Sequence, residues 1–190
     1  EEGVVAQRQP QVLAAVAANA IGIATTPWGS PGVKNRTRPV PGNHEYHQAG
    51  AAPYFAYFGA AAGTAGMGYY SYDLGPWHII ALNSESSMTE QVTWLKADLA
   101  AHPATCVLAY WHKPFFTSGA VHAPESNMRP FWDALEAAGA EIVLSGHNHQ
   151  YERFAPQDAT GHEDRQVGLR EFVVGTGGRS LYELSHDPRR

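Results

Sequence analysis

The sequence predicts an α/β fold in which strands and helices alternate and pack in layers. Three observations predict it. From about residue 69 onward, short β-rich runs alternate with amphipathic helical runs. The runs "CVLAYW", "EIVLS" and "EFVVG" are rich in β-branched and aromatic residues, as buried strands are. Polar clusters stand just past such runs or in a rigid loop, and open α/β folds bind ligands beyond the carboxyl ends of their strands.

Each element follows in chain order. Residues 1–26 are Ala-rich and apolar, and a helix over roughly residues 8–20 is expected, with Pro10 in its first turn. Residues 27–42 carry Pro27, Pro31, Pro39 and Pro41 and read as extended loop. "PYFAYF" at 53–58 suits a short aromatic helix, and "GAAAGTAGMG" at 59–68 a loop of small residues. "YYSYDLGPWHIIALNS" reads as a hairpin about Gly75-Pro76. A helix follows, with Ser87 and Glu90 at capping-box spacing and Val92, Leu95 and Leu99 on one face. Residues 106–111 form a buried strand. Residues 128–139 form a helix ended by Gly139. Two further strands are expected at 141–145 and 171–175. No internal repeat is visible, so the chain is read as one domain.

Composition narrows the function classes. The chain has 190 residues, 44% hydrophobic and 16% charged, which suits a sizeable core and not a disordered segment. A net charge of -5 argues against a nucleic-acid-binding surface. The longest apolar stretch, residues 12–24, is too short to span a bilayer and contains Asn19. Glu1 and Glu2 precede it, so it makes a poor signal peptide. The chain begins with Glu rather than Met, which suits a mature form or a fragment. Cys106 is the single cysteine, which excludes an internal disulfide and a multi-cysteine metal site. Ten histidines are many for this length and direct attention to metal binding or acid–base chemistry. Oligomeric state is not legible here.

Three clusters carry that chemistry: "GNHE" at 42–45, "WHKP" at 111–114 and "GHNH" at 146–149. Imidazoles one residue apart can splay from a tight turn toward two ions held about 3.5–4 Å apart. Gly146 allows close backbone approach. Asn43 offers a neutral carbonyl oxygen, and His44, next to it, points elsewhere and stays free for proton transfer. Taken singly, each cluster has an ordinary reading that is the favoured one: solvated loop histidines, an Asn and His in a turn, a structural histidine at a strand end.

Together and in this order, "PGNHEY", "AYWHKP" and "LSGHNHQYERF" resemble the calcineurin-like metallophosphoesterases, most of all the purple acid phosphatase branch. The resemblance runs from about Trp28 to Ser180 and takes in "TRPVPGNHEY", "YFAYFGAAAG" and "EFVVGTGG". It implies a sandwich of mixed β-sheets flanked by helices around two metal ions, iron paired with zinc, manganese or a second iron. By the same resemblance, Asn43, His112 and His147 bind the second metal and His149 the first, while His44 acts in catalysis from just outside the metals. Ala109 stands where the family usually has Val. His122, in the loop "TSGAVHAPES", falls at about the spacing of a substrate-contacting histidine, and is equally well read as a surface loop histidine. Tyr151 and Arg153 of "YER" are expected to support the ligands from behind. His47, His78, His102, His162 and His186 have no motif context and are read as ordinary structural or surface histidines. The implied reaction is hydrolysis of phosphomonoesters or phosphodiesters by a hydroxide that the two metals activate, without a phosphoenzyme. The implied location is extracellular.

One part of the pattern is missing. The family's first two motifs supply aspartates, one of which bridges the metals. This chain has no Asp before Asp73, and only Glu1 and Glu2 are acidic before Glu45. Residues 1–26 are therefore read as a non-family stretch and residues 27–190 as a partial domain of this type. Two readings stay open: a phosphoesterase, or an inactive remnant holding at most one ion through Asn43, His112 and His147. A structural zinc module lacks the cysteine partners it needs.

Overall fold

The computed structural model describes Lys34 and residues 36–104, 106–177 and 179–183. The helix expected at 8–20, the 1–26 stretch and His186 lie outside the described residues. Short 3-10 turns at Glu45–His47 and Ala49–Ala51 lead into α1 (Ala52–Phe58), the aromatic helix the sequence predicts. The hairpin strands β1 (Tyr70–Leu74) and β2 (Trp77–Ala81) follow, then α2 (Met88–Ala101) and β3 (Cys106–Tyr110). The chain continues through α3 (Arg129–Ala137), β4 (Ile142–Ser145), β5 (Tyr151–Arg153) and β6 (Arg170–Val174).

The six strands form one mixed sheet in the order β1-β2-β3-β4-β6-β5. The four central strands are parallel, and the edge strands β1 and β5 are antiparallel to their neighbours. Among the described residues there is this one sheet, where the resemblance implies a packed pair. The central strands are apolar on both faces because both faces are buried. Ile80, Val107, Ala109, Val143 and Val173 face one core with Leu95 of α2 and Phe131, Trp132 and Leu135 of α3. Ile79, Ala81, Leu108, Tyr110, Leu144 and Phe172, one register away, face a second core with Val40.

Local chemistry sets the boundaries. Leu74 pairs with Trp77, leaving Gly75-Pro76 as a two-residue turn. Gly75 has φ 61 and Pro76 is locked to negative φ, which is the II′ hairpin combination that matches strand twist. Helix α3 ends as the sequence predicts: Gly139 takes φ 72, its N–H reaches Glu136 O, and Ala140 N–H reaches Leu135 O, a Schellman closure.

Two expectations are corrected. Ser87 is the N-cap of α2 but makes no side-chain cap bond, so the capping box does not form. Gln91, wholly buried, instead braces the loop that leads into the helix: its Nε2 donates to Asn83 O at 2.8 Å and Ser86 Oγ at 2.9 Å, and its Oε1 accepts from Asn83 N–H at 2.8 Å. A primary amide can donate and accept at once, which the Glu90 carboxylate cannot. The second correction concerns "YER", which forms edge strand β5, an element the sequence reading omits. Side chains alternate across it, so Tyr151 and Arg153 are exposed and Glu152 is the buried member, the reverse of the expected support from Tyr151 and Arg153.

Candidate metal centre

Parallel strands β3 and β4 end side by side, so whatever follows them emerges together. His112 follows β3 and Gly146-His147 follows β4; the Gly146 N–H donates to His112 O at 2.9 Å and locks the two exits. His147 sits at φ 64, a left-handed conformation that costs a non-glycine residue about 1 kcal/mol or more. That twist turns its ring toward His112. The "GNHE" loop closes on itself, with the Gly42 N–H donating to Glu45 Oε2 at 2.8 Å. It lies so close that a Cβ on Gly42 would meet the His112 ring at 2.7 Å.

These contacts bring three of the sequence-selected donors to one point. His112 Nε2 lies 2.8 Å from Asn43 Oδ1 and 3.1 Å from His147 Nδ1. Burial, reinforced by His147 and Lys113, pushes the His112 imidazole down to about 3. Burial, then His122 and Lys113, push His147 down to about 4. Both rings are therefore neutral at physiological pH and can offer lone pairs, the state a metal requires.

The remaining site residues surround this point. The His122 ring lies 4.1 Å from the His147 ring, centroid to centroid. His149 is separated from His122 by Tyr182, which stacks on it at 4.2 Å and approaches His122 at 5.8 Å. His149 Nδ1 is buried with no hydrogen-bond partner, a donor atom left for a ligand. His44 is exposed beside His47, ring to ring at 5.1 Å, and takes no part in the His112 contacts.

Asn148, between the two histidines, is fully buried and faces the other way. Its Nδ2 donates to Thr117 Oγ1 at 2.9 Å and to His122 O at 3.2 Å, tying the His122 loop to the turn. Below that loop stand two buried glutamates that sequence reasoning missed. Glu152 accepts from Thr117 Oγ1 at 2.6 Å, from Ser118 N–H at 2.9 Å, and from Ser118 Oγ and Gln150 Nε2. Glu171 accepts from the Phe115 and Phe116 N–H groups at 3.1 and 2.7 Å and from Ser145 Oγ at 2.8 Å. The only signal was an acidic residue beside aromatic neighbours in "QYERF" and "EFVVG".

The donor set fits a cation: three neutral N and O atoms converge, two of them on imidazoles kept unprotonated, beside an orphaned His149 nitrogen. Among the described residues it holds no bridging carboxylate: no Asp or Glu forms a ligand group with these histidines.

The profile of the family described as calcineurin-like phosphoesterase matches residues 17–151, well over half the chain and reaching into the 1–26 stretch. The chain belongs to the calcineurin-like phosphoesterase family. Within that family it is 31% identical over 184 residues to purple acid phosphatase 15 of Arabidopsis thaliana, covering 85% of this chain and 34% of the relative. It is 30% identical over 144 residues to acid phosphatase type 7 of Homo sapiens, covering 61% of this chain and 32% of that protein. The chain thus spans about a third of the length of these curated relatives. Its fold is similar to that of a purple acid phosphatase from yellow lupin (Lupinus luteus) seeds, with TM-score 0.66, 18% identity, and coverage of 77% of this chain and 32% of the other.

Proposed function

We propose that this chain carries the substrate-side half of a metal-dependent phosphoesterase centre that hydrolyses phosphomonoesters or phosphodiesters. The observation behind this reading is the convergence of Asn43, His112 and His147 at 2.8 and 3.1 Å in a member of this family. Asn43 Oδ1, His112 Nε2 and His147 Nδ1 would hold one ion, and His149 would contribute to a second. The chemistry such ions would supply is a more acidic bound water and neutralised charge on the phosphoryl oxygens. The chain's own residues do the rest. Asn148 and Thr117 hold the His122 loop beside His147, where the His122 ring can meet a phosphoryl oxygen. His44, exposed and outside the ligand contacts, protonates the leaving alkoxide. Buried His112 and His147 stay neutral, so they do not compete with the cations as charges of the same sign. Iron paired with zinc, manganese or iron, and an extracellular location, are part of the same proposal. Among the described residues no helix is long and apolar enough to cross a membrane.

A second reading, an inactive one-ion form, is favoured by the lack of a carboxylate beside these histidines among the described residues. Metal content and turnover separate the two. The chain is loaded with iron, zinc or manganese, and the ions lost in the His112→Ala/His147→Ala variant are counted. Two ions lost, with turnover of a chromogenic phosphate ester, support the enzyme. One ion lost without turnover supports the inactive form. Metal content unchanged by the double substitution would remove the centre altogether.

A further inference from the structure

We propose that the chain has a further cation site, at the opposite end of the sheet, formed by His78, Asp98 and His102 and suited to a zinc-like divalent transition metal. His78 is the second residue of β2, whereas the Asn43, His112 and His147 group sits beyond the carboxyl ends of the parallel strands. Asp98 and His102 lie one turn apart at the end of α2, where i and i+4 side chains share a face. The two clusters are therefore independent, and this inference does not rest on the proposed reaction.

The geometry suits one ion. One ring nitrogen each of His78 and His102 and an Asp98 carboxylate oxygen lie within 4.8 Å of one another. Donors on a tetrahedral ion with bonds of about 2.0–2.1 Å sit roughly 3.3 Å apart. His102 Nδ1 is 3.3 Å from Asp98 Oδ1, and His78 Nε2 is 2.9 Å from Asp98 Oδ2. The His78 and His102 rings are neighbours, with centroids 4.9 Å apart and planes 13° apart.

The surroundings complete the case. Asp73 Oδ1 lies 2.8 Å from His78 Nδ1. A carboxylate there favours a proton on Nδ1, as carboxylates behind metal-bound histidines do, and in that tautomer the Nε2 lone pair would face Asp98. A lone pair facing a carboxylate at 2.9 Å in a buried setting requires a cation between or beside them, either a proton or a metal. Ser71 Oγ donates to Asp98 Oδ1 at 2.8 Å and fixes that carboxylate. The His78 and Asp98 side chains are 1% and 8% exposed, while His102 is 49% exposed and gives an ion its way in. His102 Nδ1 carries the N–H that donates to Asp98 O at 2.9 Å, a carbonyl that the His102 backbone N–H also reaches at 3.0 Å, so an ion bound here would replace that ring proton without stranding the carbonyl. Two nitrogens and one carboxylate oxygen suit zinc, cobalt or nickel, and neither calcium nor magnesium, which take oxygen ligands.

The test uses the untagged chain carrying His112→Ala and His147→Ala, titrated with Zn2+ against a chromogenic chelator and with Co2+ by visible absorption. One Zn2+ per chain is expected, with tetrahedral Co2+ bands. Adding His102→Ala should weaken binding at least about tenfold without lowering Tm, since the His78 contacts to Asp73 and Asp98 remain. The same His102→Ala comparison in the otherwise unaltered chain, expected to lose one Zn2+, serves if the double variant fails to fold. No Zn2+ in the double variant, or affinity indifferent to His102→Ala, would show that a proton alone occupies the cluster and overturn the proposal.

Discussion

Gly42→Ala tests how tightly the "GNHE" loop and His112 are packed. A Cβ at Gly42 would lie 2.7 Å from His112 Cγ and 2.8 Å from both Cδ2 and Cε1. Those three atoms span the ring, so the methyl lands on the imidazole face. Carbon atoms rest about 3.5–4.0 Å apart, so ring or loop must move by roughly 1 Å. His112 has little freedom to give, being 8% exposed and held by Asn43 and His147. Metal sites tolerate ligand displacements of about 0.2 Å, several times less than the required shift. Overpacking of this kind costs about 1–3 kcal/mol, or a fall in Tm of roughly 3–10 °C for a domain of this size. Metal affinity at the Asn43, His112 and His147 group should fall by at least about tenfold. Gly42 is not among the glycines with positive φ, so alanine meets no backbone penalty that could mimic the effect. Thermal unfolding of the metal-free chain and a chelator-competition titration read the two outcomes. Unchanged Tm together with unchanged metal affinity would refute the packing argument.

His112→Ala should lower metal occupancy, whereas His44→Ala should leave it intact and cut any phosphoesterase turnover by about 10²–10⁴-fold; an emptied site in His44→Ala would place that residue among the ligands. His112 and His147 are depressed in the fold, to about 3 and about 4, so the stability they leave intact above about pH 6.5 is lost as pH falls through those values. The metal-free chain should accordingly unfold on acidification, and His112→Phe should shift that acid midpoint downward in a circular-dichroism titration; an unmoved midpoint would remove His112 as the cause. Glu171 is pushed the other way, up to about 8 by burial despite its hydrogen bonds, so its contribution is present below about pH 4.5 and lost as pH rises through 8. Glu171→Gln should flatten the decline in stability between those limits in denaturant titrations at stepped pH, and an unaltered slope would show that another group carries it.

The sequence by itself determined the elements whose information is local. The Gly75-Pro76 hairpin, the Gly139 stop of α3 and the apolar strands β3, β4 and β6 follow from turn chemistry and residue type, which act within a few positions. It also singled out Asn43, His112 and His147, through a family resemblance carried by the order of three motifs. Tertiary structure alone decided what depended on facing. The three-residue strand β5 is too short for a periodic signal, and only its pairing with β6 turns Glu152 inward and Tyr151 and Arg153 outward. Ser87 and Glu90 had the spacing of a cap, but the loop brings Asn83 within reach of Gln91, whose amide satisfies more groups at once. His78 and His102 carried no motif because they are 24 positions apart in the chain and become neighbours only when α2 packs beside the hairpin. Distances between side chains from different elements are set by packing, and no periodicity along the chain encodes them.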